Sequence, residues 1–92
     1  MNELRKSLVV VNQRGLHARA SAKFVNAVAE LPEGCSVRVA KGENEAAGGS
    51  ILGLMMLGAA KGDTIEIVVA GEDADAMMAQ LSAMVEDGFG EP

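Results

Sequence analysis

Apolar residues recur along this chain in two rhythms, one of period two and one of about 3.6, and the switches between them mark the elements. Ser7-Leu8-Val9-Val10-Val11 is a β-branched run that stops at the polar turn Asn12-Gln13-Arg14-Gly15, which predicts a strand. From Ala18 the residues are helix formers. Phe24, Val25, Val28 and Leu31 fall on one face and Lys23, Asn26 and Glu30 on the other, so an amphipathic helix ends near Pro32 and Gly34. Cys35, Val37 and Val39 alternate with Ser36, Arg38 and Ala40, a half-buried strand that turns at Lys41-Gly42 into a short, weak partner around Glu43 to Ala47. Gly48-Gly49-Ser50 introduces Ile51, Leu54 and Met55, a two-turn helix with a serine cap, broken by Gly58 and followed by a turn at Lys61-Gly62-Asp63. Thr64 to Ala70 alternates as a strand. Ala74, Met77, Met78, Leu81, Met84 and Val85 then repeat at helical spacing, which makes the methionines core residues, and the tail Gly88 to Pro92 reads as frayed.

The resulting order is β-α-β-β-α-β-α. Strands that alternate need one covered face and leave the other wet, so the expected fold is a two-layer α/β sandwich with its helices on one side. The 92 residues suffice for one core, hence one domain over residues 1–92. Apolar residues make up 49% and charged residues 23%, the balance of a chain that folds rather than one that stays disordered. No export signal opens the sequence, and the longest nearly uncharged run, Gly48 to Ala60, is well short of the roughly 20 residues that cross a bilayer, so no membrane association is expected. Cys35 is the only cysteine, which rules out an internal disulfide and suits a reducing cytoplasm; it reads as a small buried apolar residue. One His and one Cys leave no zinc set, and no metal or cofactor is expected.

Charge changes the picture more than composition does. The net charge of -5 and the scarcity of aromatics, Phe24 and Phe89 alone, argue against nucleic acid as a partner. Yet residues 1–29 carry Arg5, Lys6, Arg14, Arg19 and Lys23 against Glu3 only, while the acidic residues crowd the rest of the chain. An anion is welcome near the start of the chain. There His17 stands at the junction of the glycine turn and the first helix. A helix start leaves about four N–H groups without partners and a partial positive charge, so the N–H groups of Ala18, Arg19 and Ala20 are the expected phosphate donors. No Ser, Thr or Asp occupies the expected cap position. A neutral imidazole nitrogen can attack phosphorus and later leave, which makes a reversible carrier of His17, and the Arg19 guanidinium is placed to steady phosphate oxygens.

Gly15-Leu16-His17-Ala18-Arg19 resembles the active-site motif of the HPr family, the histidine-containing phosphocarriers of the phosphoenolpyruvate-dependent phosphotransferase system. Gly49-Ser50-Ile51-Leu52-Gly53-Leu54-Met55-Met56-Leu57 resembles the family's second signature, and Gly71-Glu72-Asp73 precedes the last helix as it does there; the likeness runs from about residue 4 to 87. It implies an α+β open-faced sandwich with a four-stranded antiparallel sheet in order 1-4-2-3 and three helices on one face. It also implies phosphate on His17 Nδ1, received from Enzyme I and passed to an enzyme IIA domain, and a monomer that is not itself an enzyme. The serine matching Ser50 is a control point in the family, modified by a dedicated kinase/phosphorylase. Proline usually follows the arginine and this chain has Ala20, which with the second signature is more like the nitrogen-related branch than the sugar-transport branch.

Without the resemblance, Ser50 after Gly48-Gly49 is an ordinary helix cap, and no nucleotide P-loop pattern is present. A two-turn helix cannot bury all of Ile51, Leu52, Leu54, Met55, Met56 and Leu57, so Leu52 and Met55 are expected at the surface as a docking patch, with Lys23 beside it. Two other readings stay open on the residues alone. One is a regulatory module that holds an anionic ligand at the basic helix start without covalent chemistry. The other is a free-standing histidine hydrolase, which suffers from the lack of an evident acidic partner for His17 and of room for a substrate pocket.

Overall fold

The computed structural model describes residues 3–91. Strand β1 (Glu3–Val9) pairs antiparallel with β4 (Thr64–Ala70), Glu3 opposite Ala70 and Val9 opposite Thr64. The first strand therefore begins earlier than its apolar run and gives up Val10 and Val11. An edge strand with one wet face tolerates Arg5 and Lys6, so the register with β4 decides its limits, not apolarity. On the far side of β4 lie β2 (Ser36–Lys41) and then β3 (Asn44–Ala47), giving the order β1-β4-β2-β3, antiparallel throughout. This is the expected 1-4-2-3 sheet.

Helices α1 (Ala18–Ala29), α2 (Ile51–Met56) and α3 (Ala74–Glu86) cover one face of it. Ile65, Ile67 and Val69 of β4 alternate inward with Val37 and Val39 of β2, and Phe24, Leu54, Leu81 and Val85 descend on them from the helices. The buried stripe of α1 is Ala20, Ser21, Phe24 and Ala27, with Val25, Val28 and Leu31 packed only partly at its flank. Met77 and Met78 are buried and Met84 partly so, as their helical spacing required. Cys35 differs from expectation in being only half-buried, because it lies just before β2 at the rim of the core.

The opposite face of the sheet is wet but not bare. Arg5 pairs with Glu3 and Glu66, and Arg38 with Glu3 and Glu45, at 2.8–3.4 Å. Val68 stands in register between Arg5 and Arg38 and is 1% exposed, roofed by the two arginine stems. The ion pairs themselves are solvent-exposed and add little.

The tail does not fray. Gly88–Gly90 forms a single 3₁₀ turn that returns the chain to α1, and Phe89 is 2% exposed. Gly88, Phe89 and Gly90 all have positive φ, +64°, +58° and +71°. Burying a phenyl ring contributes up to about 3 kcal/mol, which exceeds the roughly 1–2 kcal/mol that a left-handed non-glycine residue costs. The Lys23 ammonium donates to the Phe89 carbonyl at 2.7 Å and fastens the turn from the α1 side. Gly88 and Gly90 are the residues that permit the hook, and Pro92, the last residue of the tail expected to fray, lies outside the described residues.

Phe89→Ala should lower the unfolding free energy by about 3 kcal/mol, the cost of emptying a buried aromatic site. Urea denaturation checks this, and an unchanged midpoint would mean that the tail does not hold to the core.

Candidate functional site

The polar turn after β1 is closed by its own ends. Gly15 N–H donates to the Asn12 carbonyl at 3.2 Å, and the Asn12 amide nitrogen donates back to the Gly15 carbonyl at 2.8 Å. Gly15 has φ +64°, and a Cβ placed on it would lie 2.2 Å from the Ala59 carbonyl oxygen, so both conformation and space demand glycine. The next N–H, of Leu16, donates to that same Ala59 oxygen at 2.9 Å. The wall it leans on is braced in turn. Asp63 accepts from Ala60 N–H at 2.9 Å and pairs with Lys41 at 3.1 Å, and Lys41 also donates to the Gly58 carbonyl. The Asp63 carboxyl is held below its ordinary range by the Ala60 N–H first and by Lys41 second.

With Leu16 pinned, His17 is delivered to the start of α1, where it is the N-cap itself. Its backbone is extended, its carbonyl accepts the Ser21 N–H at 2.9 Å, and its Nδ1 accepts the Arg19 N–H at 3.3 Å. The missing Ser, Thr or Asp cap is thus replaced by the imidazole. The other ring nitrogen, Nε2, lies 2.5 Å from a Glu91 carboxylate oxygen. Here the expectation that His17 lacks an acidic partner is corrected: the hook of the tail brings one from 74 residues away in sequence. The second Glu91 oxygen accepts from the Asn12 amide at 3.0 Å. Because that amide nitrogen faces two acceptors, its orientation is fixed by the network. The Glu91 carboxyl is held below its ordinary range, first by Asn12, then by His17 and Lys23, with burial opposing them.

Arg19 and Arg14 are exposed, and neither takes part in an ion pair among the described residues. The N–H groups of Ala18 and Ala20 belong to the first turn, which has no acceptor four residues back inside the helix, and Ala20 is fully buried. An anion at Nδ1 would meet these donors and the Arg19 side chain together. Lys23, expected in docking, is tied to the Phe89 carbonyl. Ser50 caps α2 as expected, accepting the Gly53 N–H at 2.9 Å. Leu52 and Met55 are exposed at 67% and 40%, and sequence reasoning missed that Met56 at 77% and Ile51 at 41% join them. It also missed Glu91. The one available signal was an aromatic held between two glycines directly after the last helix, a pattern more economical as an anchored turn than as a loose end.

A shallow groove of about 650 Å³ runs between α1 and α3 past Ala27, Met84 and Phe89, and His17 is not among its lining residues.

Comparison with known proteins gives a consistent result. The family described as "PTS HPr component phosphorylation site" matches residues 4–87. The phosphocarrier protein HPr of Neisseria meningitidis serogroup A is 41% identical over 88 residues, 96% of this chain and 97% of that protein. The phosphocarrier protein NPr of Shewanella violacea is 35% identical over 91 residues, 99% of this chain and 98% of that one, a likeness that supports the nitrogen-related branch. Among solved structures, HPr-C-His from Thermoanaerobacter tengcongensis superposes with a TM-score of 0.86 at 29% identity, covering 100% of this chain and 99% of that chain.

Acid should loosen the site before it unfolds the sheet. A carboxyl whose folded pKa is depressed contributes stability that is present above its unfolded pKa and lost as pH falls through the folded value. Glu91 and Asp63 are both of this kind, so the tail and the Ala59–Ala60 wall should hold at neutral pH and release only below the ordinary carboxylate range. Phe89 ring resonances followed through an acid titration check it. The release should be shifted in Glu91→Gln, and a titration identical to that of the parent would show that Glu91 has no part in holding the tail.

Proposed function

The chain belongs to the HPr family of phosphocarrier proteins, and from that premise we propose that His17 Nδ1 is the atom that takes the phosphoryl group, from phospho-Enzyme I, and surrenders it to an enzyme IIA domain. A protein of this family is a carrier, not an enzyme, and exchanges phosphoryl groups with enzymes of the phosphotransferase system. The observation that supports the placement is the direction of the ring: Nδ1 lies at the start of α1, where it accepts the Arg19 N–H, while Nε2 is turned to Glu91. In the transfer the Nδ1 lone pair forms the bond to phosphorus, the bond from phosphorus to the donor's nitrogen breaks, and its electron pair stays with the donor. The phosphoryl oxygens then take the N–H groups of Ala18, Arg19 and Ala20, and the Arg19 guanidinium spreads their charge. These donors are in place beforehand, so little reorganisation accompanies the step.

The same reading makes the exposed apolar face of α2 the docking surface, with Leu52 and Met55 in its centre and Met56 added from the structure, whereas Lys23 is engaged with the tail at the Phe89 carbonyl. Ser50, at the head of that helix, is the regulatory position, open to a kinase/phosphorylase of the family's kind. Phosphate there would suit a helix N-terminus, so its cost would fall on partners, which must desolvate a doubly charged group in an apolar contact. The protein acts in the cytoplasm as a monomer, in the nitrogen-related branch.

Incubation with Enzyme I and phosphoenolpyruvate should place an acid-labile, base-stable phosphate on the intact chain. His17→Ala should abolish it while leaving circular dichroism unchanged, and Arg19→Ala should slow it roughly 100-fold, the cost of one preorganised donor. Retained label in His17→Ala would sink the carrier assignment of that residue.

Leu52→Glu and Ser50→Asp should each reduce the rate at which Enzyme I loads His17, the first by more than about tenfold, as loss of a central apolar contact does. Their melting temperatures should stay near that of the parent. Rates equal to the parent's in both would move the docking surface elsewhere and return Ser50 to a plain helix cap.

A further inference from the structure

We infer that Glu91 is a positioning residue for the phosphoryl transfer: its carboxylate fixes the tautomer that leaves the lone pair on His17 Nδ1, and it balances the positive charge the ring acquires when Nδ1 bonds to phosphorus. The inference rests on the reading of His17 as the acceptor. It concerns a segment, residues 88–91, that lies beyond the residues 4–87 matched by the family.

The tautomer follows from the two partners of the ring. A backbone N–H only donates, so the Nδ1 that faces Arg19 N–H is the bare nitrogen. An ionised carboxylate only accepts, so the Nε2 that faces Glu91 carries the proton. Both contacts select the same form, and it is the form in which Nδ1 is the nucleophile. Without Glu91 only the 3.3 Å contact from the Arg19 N–H still favours the proton on Nε2, and the tautomer with the proton on Nδ1, which has no lone pair to offer phosphorus, becomes accessible.

The charge follows from the bond count. A ring that attacks through Nδ1 while keeping its proton on Nε2 forms one new N–P bond and loses nothing, so it becomes formally cationic. Glu91 then faces that cation. The two side chains are 13% and 14% exposed, so water screens their attraction only partly. The carboxylate is itself held by two groups that do not take part in the chemistry. Asn12, 4% exposed, binds its other oxygen, and the buried Phe89 ring anchors the backbone one turn back. This is what an orienting group needs: a fixed position relative to the ring that it orients.

The alternative is that Glu91 merely fastens the tail, and the two roles read out differently. In the full chain labelled with ¹⁵N at histidine, at a pH where the unphosphorylated ring is neutral, the parent should show the proton on Nε2 alone. Glu91→Gln, which keeps the shape and removes the charge, should show a mixture of tautomers. Its loading by Enzyme I and phosphoenolpyruvate should be roughly 10-fold slower, the low end of what losing the orienting partner of a working histidine costs. The Phe89 ring resonances should stay docked, and Glu91→Asp, shorter but charged, should recover most of the rate. An unchanged tautomer or an unchanged rate in Glu91→Gln overturns the inference. So does a failure of Glu91→Asp to exceed Glu91→Gln while the Phe89 ring remains docked. If Glu91→Gln releases the ring, recovery of both tautomer and rate in Glu91→Asp sustains the inference and their loss in both variants overturns it. Failure of the parent to be labelled on His17 is a separate result: it removes the acceptor reading, whereas the tautomer measurement needs no phosphate at all.

Discussion

Two backbones touch where Gly15 passes Ala59 and Ala60, closer than any side chain would permit, and the geometry of the reactive end is set by that contact. The Leu16 N–H bonds to the Ala59 carbonyl there, so the chain enters α1 at a fixed angle and the residue after Leu16 becomes the cap. The position of His17 is therefore a property of the loop between α2 and β4 as much as of its own turn. Lys41 and Asp63, neither near the ring in sequence, are part of the same support because they hold the loop that Gly15 meets. The arrangement is economical: one missing Cβ lets a strand end, a helix start and a distant loop share a single point.

Most of the layout was legible because it rests on local chemistry. Alternation at Ile65, Ile67 and Val69 and helical spacing at Met77, Met78 and Leu81 each report burial directly, and both survive in the structure. Ser50 was readable as a cap because a cap is a contact between residues three apart. What was not legible depends on distance along the chain. The start of β1 at Glu3 is decided by its partner strand, and the partial exposure of Cys35 by where the core happens to end. Glu91 is the strongest case, since nothing within several residues of either His17 or Glu91 announces the other. The tail reads as frayed because it is the end of the chain, whereas Gly88 and Gly90 permit a tight left-handed turn once a buried anchor holds it. Phe89 is the anchor, and its weight lies in the core that receives it.

The two sides of the imidazole are handled by different means. On the Nδ1 side the protein offers only backbone donors and the exposed Arg19 guanidinium, which, on the proposed reading, would hold a visiting anion without enclosing it. On the Nε2 side it commits a side chain, an amide and a buried turn. A carrier needs this inequality, because a nitrogen that is to gain and lose a group must be left open while the rest of its ring is kept still.

The charged roof over Val68 has a consequence for traffic. Arg5, Arg38 and their carboxylates leave the open sheet face with no apolar ground to stand on, while four of the six large exposed apolar side chains among the described residues are gathered on α2. On the proposed docking surface, any two partner proteins would occupy the same ground and could not do so together. Delivery and collection would then be separate visits in time, with a free carrier diffusing between them. Throughput in such a scheme is limited by how quickly each visitor departs. Selection for flux therefore sets a ceiling on how adhesive α2 can become, and a patch of flexible thioethers grips well enough to orient and weakly enough to let go.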